Sequence, residues 1–365
     1  MKKTILIFSV ICIFTACLPY KASALSPSAQ SAVVIDGDGC KVAYEKNAHS
    51  RMGMASTTKI MTALIAIENY PLEKEFTVSD KALGVEGSSI YLKKGEKFTM
   101  KQLLYALLLQ SANDAATAIA IEVGGSVENF AALMNNKAET LGLKNTHFTN
   151  PHGLYDDEHY TTAYDLALIT QYALKNPAFK EIVSTYKMSI PLQGIENGRV
   201  LVNHNKLLKQ YDGAIGVKTG FTKMTGRCLV SAAEREGTTM IAVTLNAPDD
   251  WNDHKMMLDH GFDKLQTFHL APPQSINMKI PVVGGNESYV NLCNDGGLTY
   301  TCDKKTANIT KEVVLSRFLF APVEKDRAVG QIIFYNNGTE IGRIDLLTQE
   351  SVEAKPIKKK LFGLF

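Results

Sequence analysis

Apolar positions along this chain follow two rhythms. Between Ser56 and Leu174 they recur at helical spacing, and beyond Lys187 they fall into short runs broken by polar turns. Ahead of both, Ala32–Glu45 reads as a strand, a Gly37-Asp38-Gly39 turn and a second strand. Ile60, Leu64 and Ile67, at i, i+4 and i+7, predict a helix opening near Ser56. Further helices are predicted around Leu103–Leu109 and over Ala115–Val123, the latter stopped by Gly124-Gly125. Ser126 caps another that carries Phe130, Leu133, Met134 and Leu141 and ends at Gly142; one more runs from Thr161-Thr162 through Asp165 to Leu174.

In the second half, Ala214–Val217 reads as a strand. Cys228–Ala233 and Met240–Leu245 flank the polar Glu234–Thr239 and predict adjacent antiparallel strands, with a helix following at Asp253–Leu265. Pro272-Pro273 marks a boundary. After it, Asn277–Val283, Ser288–Leu292, Lys311–Leu315, Gln331–Tyr335 and Thr339–Leu346 form the regular short runs of a small β-rich domain. The chain thus reads as a first domain mixing helices with a sheet and a second domain of strands.

The two ends differ from this body. Lys2 and Lys3 precede an apolar run from Ile5 to Phe14, and Ala22-Ser23-Ala24 supplies a small-x-small cleavage site, so residues 1–24 read as a secretory signal peptide. The run is short for a membrane-spanning helix, and Phe14 is a poor first residue for lipoprotein processing at Cys17. At the other end, residues 351–365 place Ile357, Leu361, Leu364 and Phe365 beside Lys358-Lys359-Lys360, a basic amphipathic tail suited to peripheral contact with an anionic membrane; a frayed terminus is the alternative.

Composition sharpens the picture by exclusion. The 365 residues are 45% apolar and 21% charged, with a formal net charge of +2, and loss of Lys2, Lys3 and Lys21 with the leader brings this to −1. Nothing in that balance favours a nucleic-acid partner. Of the six cysteines, Cys40, Cys228, Cys293 and Cys302 lie beyond the leader. Cys293 and Cys302 flank the turn Asn294-Asp295-Gly296-Gly297 and are expected to face each other across a hairpin, where they could bridge. None of the four has zinc-ligand spacing, and no metal or organic cofactor is implied.

Candidate chemistry sits in three short strings. Ser56-Thr57-Thr58-Lys59 puts a hydroxyl and an amine on one helical face, and an amine with a lowered pKa can activate a serine. Ser111-Ala112-Asn113, between two apolar helices, offers a proton-passing hydroxyl and an orienting amide. Lys218-Thr219-Gly220 ends a strand, where charge and hydroxyl can bind a carboxylate and glycine permits close backbone approach. Each is weak alone. Ser184-Thr185-Tyr186-Lys187 repeats the first pattern and Ser275-Ile276-Asn277 the second, while Lys-Thr-Gly occurs once.

Their order and spacing are specific: Ser111 follows Ser56 by 55 residues, and Lys218 follows Ser111 by 107. With Ala55–Glu68 (ASTTKIMTALIAIE), Asn150–Leu154 (NPHGL), Thr162–Leu166 (TAYDL) and Asp212–Thr222 (DGAIGVKTGFT), the chain resembles the low-molecular-mass penicillin-binding D-alanyl-D-alanine carboxypeptidases over roughly Ser31 to Leu265. The resemblance implies an α/β (α+β) transpeptidase-like catalytic domain at 25–270, with an antiparallel sheet flanked by helices, and that family's appended β-rich domain at 271–350. It implies Ser56 as the acylated nucleophile, Lys59 as its base, Ser111 and Asn113 in proton transfer and orientation, and Lys218, Thr219, Gly220 and Phe221 in substrate binding. The N–H groups of Ser56 and Phe221 are its oxyanion donors.

The implied partners are peptidoglycan stem peptides ending in D-Ala-D-Ala, and β-lactams as covalent inhibitors, in the cell envelope. His152 in Asn150-Pro151-His152-Gly153 could pass for a triad base, but with a lysine beside the serine it reads as structural. Asn203-His204-Asn205 departs from the Asn-Thr-Asn common in that family. A class A β-lactamase would need Glu-x-x-Leu-Asn, which is missing from the sequence. Endopeptidase action on cross-links and a non-catalytic envelope-binding role are the remaining alternatives.

Overall fold

The structure, a computed structural model, describes residues 25–192 and 195–356. The leader and the basic face of the tail, both expected from sequence, lie outside the described residues.

The first domain is built on a five-stranded antiparallel sheet in the order Val42–Lys46, Ser31–Asp36, Thr238–Leu245, Gly226–Arg235 and Ala214–Thr222. Successive side chains in a strand point to opposite faces, so a strand covered on both sides reads as continuously apolar. Ser31–Asp36 (SAVVID) is buried at every position. Its Val33 and Ile35 join Val230, Ala232, Ile241 and Val243 in one core, while Ala32 and Val34 join Ala233, Met240 and Ala242 in another. The first core takes its other wall from helices Lys59–Asn69, Met100–Leu109, Asn113–Gly124 and Ala163–Leu174. The second is closed by Met257 and Leu258 of helix Asp250–Lys264.

Local signals place the helices. Thr99 and Gln102 form a reciprocal capping box ahead of Met100–Leu109. Ser126 caps Val127–Thr140 and Thr162 caps Ala163–Leu174, as their sequence contexts predict. Gly125 closes Asn113–Gly124 in the left-handed conformation. The helix expected to open at Ser56 begins as a tighter 3₁₀ turn, Ala55–Thr58, and becomes α-helical at Lys59. A helix at Pro177–Ser184, capped by Asn176, was not visible as a pattern because it spans barely two turns.

The second domain holds a six-stranded sheet ordered Ile309–Leu315, Ala328–Asn336, Thr339–Thr348, Tyr289–Cys293, Met278–Val283 and Leu319–Phe320. Its core is Ile280, Val290, Leu292, Ile332, Phe334, Ile344 and Leu346. The expected Cys293–Cys302 hairpin is not formed. Cys293 stands opposite Leu347, whereas Cys302 stands opposite Gln266 in a separate pair of strands, and both thiols are free. The reason is Asn294, fully buried, whose amide donates to the carbonyls of Pro272 and Gly296 and carries the chain across to the second pair. That pair, Leu265–Ala271 with Leu298–Asp303, reaches the first domain through Thr301, whose hydroxyl donates to Asp36 at 2.9 Å.

Candidate active site

The Ala55–Thr58 turn projects Ser56 into a cleft of about 400 Å3 whose walls include Ser88, Ser111, His204, Thr219, Gly220 and Phe221. Several contacts hold the turn. Ala55 lies at φ +47°, a left-handed conformation that costs a non-glycine residue about 1 kcal/mol or more and persists only under outside constraint. Thr57 and Thr58 donate to the carbonyls of Met54 and Ala55, at 2.6 and 2.7 Å. Gly153, at φ +85°, backs directly onto the Ala55 carbonyl.

Behind the serine, Lys59 is fully buried. Its Nζ donates to Ser56 Oγ at 2.9 Å, to Asn113 Oδ1 at 2.7 Å and to the His152 carbonyl at 2.6 Å. Burial drives its pKa well below the ordinary lysine value, and the Lys218 ammonium pushes the same way, against an opposing pull from Asp114. An amine so placed has one acceptor that can also be a proton donor, the serine hydroxyl.

Ser111 sits in the three-residue link between helices Met100–Leu109 and Asn113–Gly124, at φ +58°, lining the cleft across from Ser56. Asn113 opens the second of those helices and spans two elements. Its Oδ1 accepts from Lys59, and its Nδ2 donates to the Glu86 carbonyl of the loop above. Lys218-Thr219-Gly220 occupies the edge strand Ala214–Thr222. Lys218 is 1% exposed, donates to its neighbour's carbonyl, Thr219, at 2.7 Å, and is lowered by burial to about 7. A Cβ at Gly220 would meet Ser56 N at 3.0 Å and Thr57 N at 3.2 Å, so the strand runs flush against the serine turn. Phe221 stands 64% exposed at the rim.

All eight residues singled out from the sequence therefore converge on one cleft. The two decoy strings do not. Ser184 ends a short helix and Lys187 starts a strand, so they share no helical face, and Ser275 spends its hydroxyl on the Pro272 carbonyl. His152 serves the site with its carbonyl rather than its ring; burial first, then Lys59, lowers the imidazole to about 3.

Several residues at the site gave no sequence signal. His159 accepts from the Thr149 N–H on Nδ1, so its Nε2 carries the proton and donates to Thr58 Oγ1 at 2.7 Å. Asp114, buried, accepts from Ser89 Oγ and from the N–H groups of Ile90 and Leu92, tying the loop above the cleft to the Asn113 helix. Arg227, Asp250 and Trp251 line the far end of the cleft. Trp251, the one tryptophan of the chain, was the only one of these that could have drawn notice by composition. His204 lines the cleft too, with its N–H on the Leu109 carbonyl, and its flanking asparagines bond the neighbouring backbone.

Comparison with known proteins agrees with this geometry. Residues 19–249 match the family model described as D-alanyl-D-alanine carboxypeptidase, and residues 266–354 match that described as penicillin-binding protein 5, C-terminal domain. The chain is 33% identical over 350 residues to D-alanyl-D-alanine carboxypeptidase DacF of Bacillus subtilis, covering 93% of this chain and 88% of that one. It is 31% identical to DacC of Escherichia coli, covering 90% and 85%. Among solved structures, penicillin binding protein 5 from Haemophilus influenzae superposes with a TM-score of 0.68 at 26% identity, over 90% of this chain and 98% of that one. With one family model matching over residues 19–249, a second over 266–354, and relatives of 31–33% identity aligned along most of both chains, the chain belongs to the D-alanyl-D-alanine carboxypeptidase family.

Proposed function

We propose that this protein removes the terminal D-alanine from peptidoglycan stem peptides through an acyl-enzyme at Ser56. The observation that carries this reading is the 2.9 Å contact between Lys59 Nζ and Ser56 Oγ, made by an amine whose burial disfavours its charged form. Neutral Lys59 takes the hydroxyl proton as Ser56 attacks the carbonyl of the penultimate D-alanine. The N–H groups of Ser56 and Phe221 receive the developing oxyanion. Ser111, with Asn113 orienting Lys59, passes a proton to the departing amine. Water then attacks the ester, Lys59 again serving as base, and the shortened peptide leaves.

Lys218 and Thr219 make the end of the cleft favourable to a carboxylate, and Lys218 also holds Lys59 neutral. Gly220 lets the peptide lie along the edge strand as an added strand. A β-lactam, presenting an acyl group and a carboxylate in the same relation, acylates Ser56 as well. Catalysis belongs to 25–270 and the β-rich unit to 271–350, with a cleaved leader at 1–24 directing export and a basic tail at 351–365 touching the anionic face of the membrane.

The test is D-alanine release from a soluble peptide ending in Lys-D-Ala-D-Ala, with wild type beside Ser56→Ala. Release by the first alone supports the reading. Release by neither rejects it, and cleavage of cross-linked dimers by the same preparation would then indicate an endopeptidase.

A further inference from the structure

We propose that an apolar corner of the second domain's six-stranded sheet, formed by Phe318, Phe320, Val283 and Tyr289, enters the headgroup region of an anionic bilayer beside the tail. This deepens the reading above, and it rests on the membrane contact assigned there to residues 351–365.

The corner is the outer face of three adjoining strands, Leu319–Phe320, Met278–Val283 and Tyr289–Cys293. Residues paired across neighbouring strands share a face. Val283 stands beside Phe320 and Pro281 opposite Tyr289, while Val282 and Val290, which point the other way, lie in the core. Phe320 is 68% exposed, Tyr289 57% and Val283 47%, and the Phe318 ring meets that of Phe320 edge-on with centroids 5.2 Å apart. The rest of the same face is polar. There the Tyr335 hydroxyl donates to Glu312, Gln331 to Asp345 and Arg343 to Glu340. An apolar cluster held at one end of an otherwise polar face marks a contact surface.

What covers the corner follows from where the chain goes next. Ala354 bridges to Gly285 and the Lys355 N–H donates to the Gly284 carbonyl, so the backbone leaves the domain right beside Val283. Residues 356–365 then bring three lysines and five large apolar side chains, and the exposed Arg317 precedes Phe318. Aromatic rings with a basic fringe suit the boundary of an anionic membrane, where rings settle at headgroup depth and cations meet phosphate. Binding strength there grows with the apolar area buried. A contact made by the sheet itself also fixes how the domain stands on the surface.

The experiment measures co-sedimentation of the exported chain, residues 25–365, with vesicles of phosphatidylglycerol and phosphatidylcholine. Wild type is compared with F318S/F320S, with V314S and with a chain ending at Lys355. Val314 is an exposed valine paired with Gln331 on the polar half of the face. F318S/F320S should partition about 10- to 100-fold more weakly, with D-alanine release from a soluble peptide unchanged. V314S should bind as wild type does. Should the double variant not fold, F320W gives a second readout, quenching by brominated lipid beyond that of wild type with Trp251 alone. Equal binding by wild type and F318S/F320S, an equal loss in V314S, or no added quenching in F320W overturns the corner. Failure of the chain ending at Lys355 to bind in that case leaves the tail contact standing. A chain ending at Lys355 that binds as tightly as wild type, while F318S/F320S does not, overturns the tail contact and keeps the corner. A wild type that stays in the supernatant overturns both.

Discussion

Gly153 presses against Ala55 so closely that a Cβ at position 153 would lie 1.9 Å from the Ala55 carbonyl oxygen and 2.8 Å from Thr58 Oγ1. The Asn150–Gly153 loop is therefore the mould in which the strained serine turn is set. The same loop offers the Pro151 carbonyl to Thr62 and the His152 carbonyl to Lys59. Gly153→Ala must displace the turn or the loop, and φ +85° disfavours any side chain there besides. We expect a loss of about 2 kcal/mol or more of stability by denaturant titration. β-Lactam acylation of Ser56 should slow more than tenfold, since a misplaced nucleophile is costly.

Asp114 joins the site to the loop above it. Its carboxylate anchors Ser89, Ile90 and Leu92, and its charge raises the Lys59 pKa against burial and Lys218. Asp114→Asn removes the charge while keeping an oxygen acceptor. Lys59 should then titrate lower, and the acidic limb of the acylation-rate profile should move to lower pH. A limb that stays in place would show that Lys59 is not the group titrating there. Loss of the charged acceptor should also cost about 1.5–3 kcal/mol of stability.

Much of this was readable beforehand, for identifiable reasons. Apolar runs such as Ala32–Ile35 and Met240–Val243 stand out because both faces of the sheet are covered. Ser56 and Lys59 are three residues apart on one turn, so local spacing alone places them together. What sequence could not carry was long-range chemistry. The bond from Asn113 to Lys59 spans 54 residues and that from His159 to Thr58 spans 101, and neither leaves a local pattern. The Cys293–Cys302 expectation failed on the same ground, because Asn294 reaches back to Pro272 instead of closing a turn.

The buried histidines give the fold an acid-sensitive limb. Burial lowers His152 and His254 to about 3 and His159 to about 4. His254 is held between the Ser231 and Thr244 hydroxyls by its two ring nitrogens, and burial disfavours its charged form. Because each folded pKa lies below the unfolded value near 6.5, the unfolded chain binds more protons between pH 6.5 and about 4. Stability must therefore fall as pH drops through that window, by about 1.4 kcal/mol per pH unit for each histidine. His159→Gln should flatten the slope by one proton; a stability loss between pH 6 and 4.5, measured by urea titration at each pH, that is equal in variant and wild type would contradict this.

The two buried lysines act in the alkaline direction. Lys218 is lowered to about 7 and Lys59 is lowered as well, while in the unfolded chain both titrate near 10.5. Between pH 7 and 10.5 the unfolded state thus binds more protons, and unfolding free energy must rise with pH. Below pH 7 the cost of holding Lys218 charged in a dry site is fully present; above 10.5 it is gone. Lys218→Met removes that group and its field together. Its stability at pH 7 should equal or exceed that of wild type, because an apolar chain of similar length replaces a desolvated amine. The slope from pH 7.5 to 9.5 should shrink by about 1.4 kcal/mol per unit. Acylation should slow at neutral pH and recover in part at higher pH, since Lys59 loses a neighbour that favours its neutral form. A variant that is destabilised at pH 7 and keeps the full wild-type slope would mean that Lys218 holds its proton in the folded protein across that range.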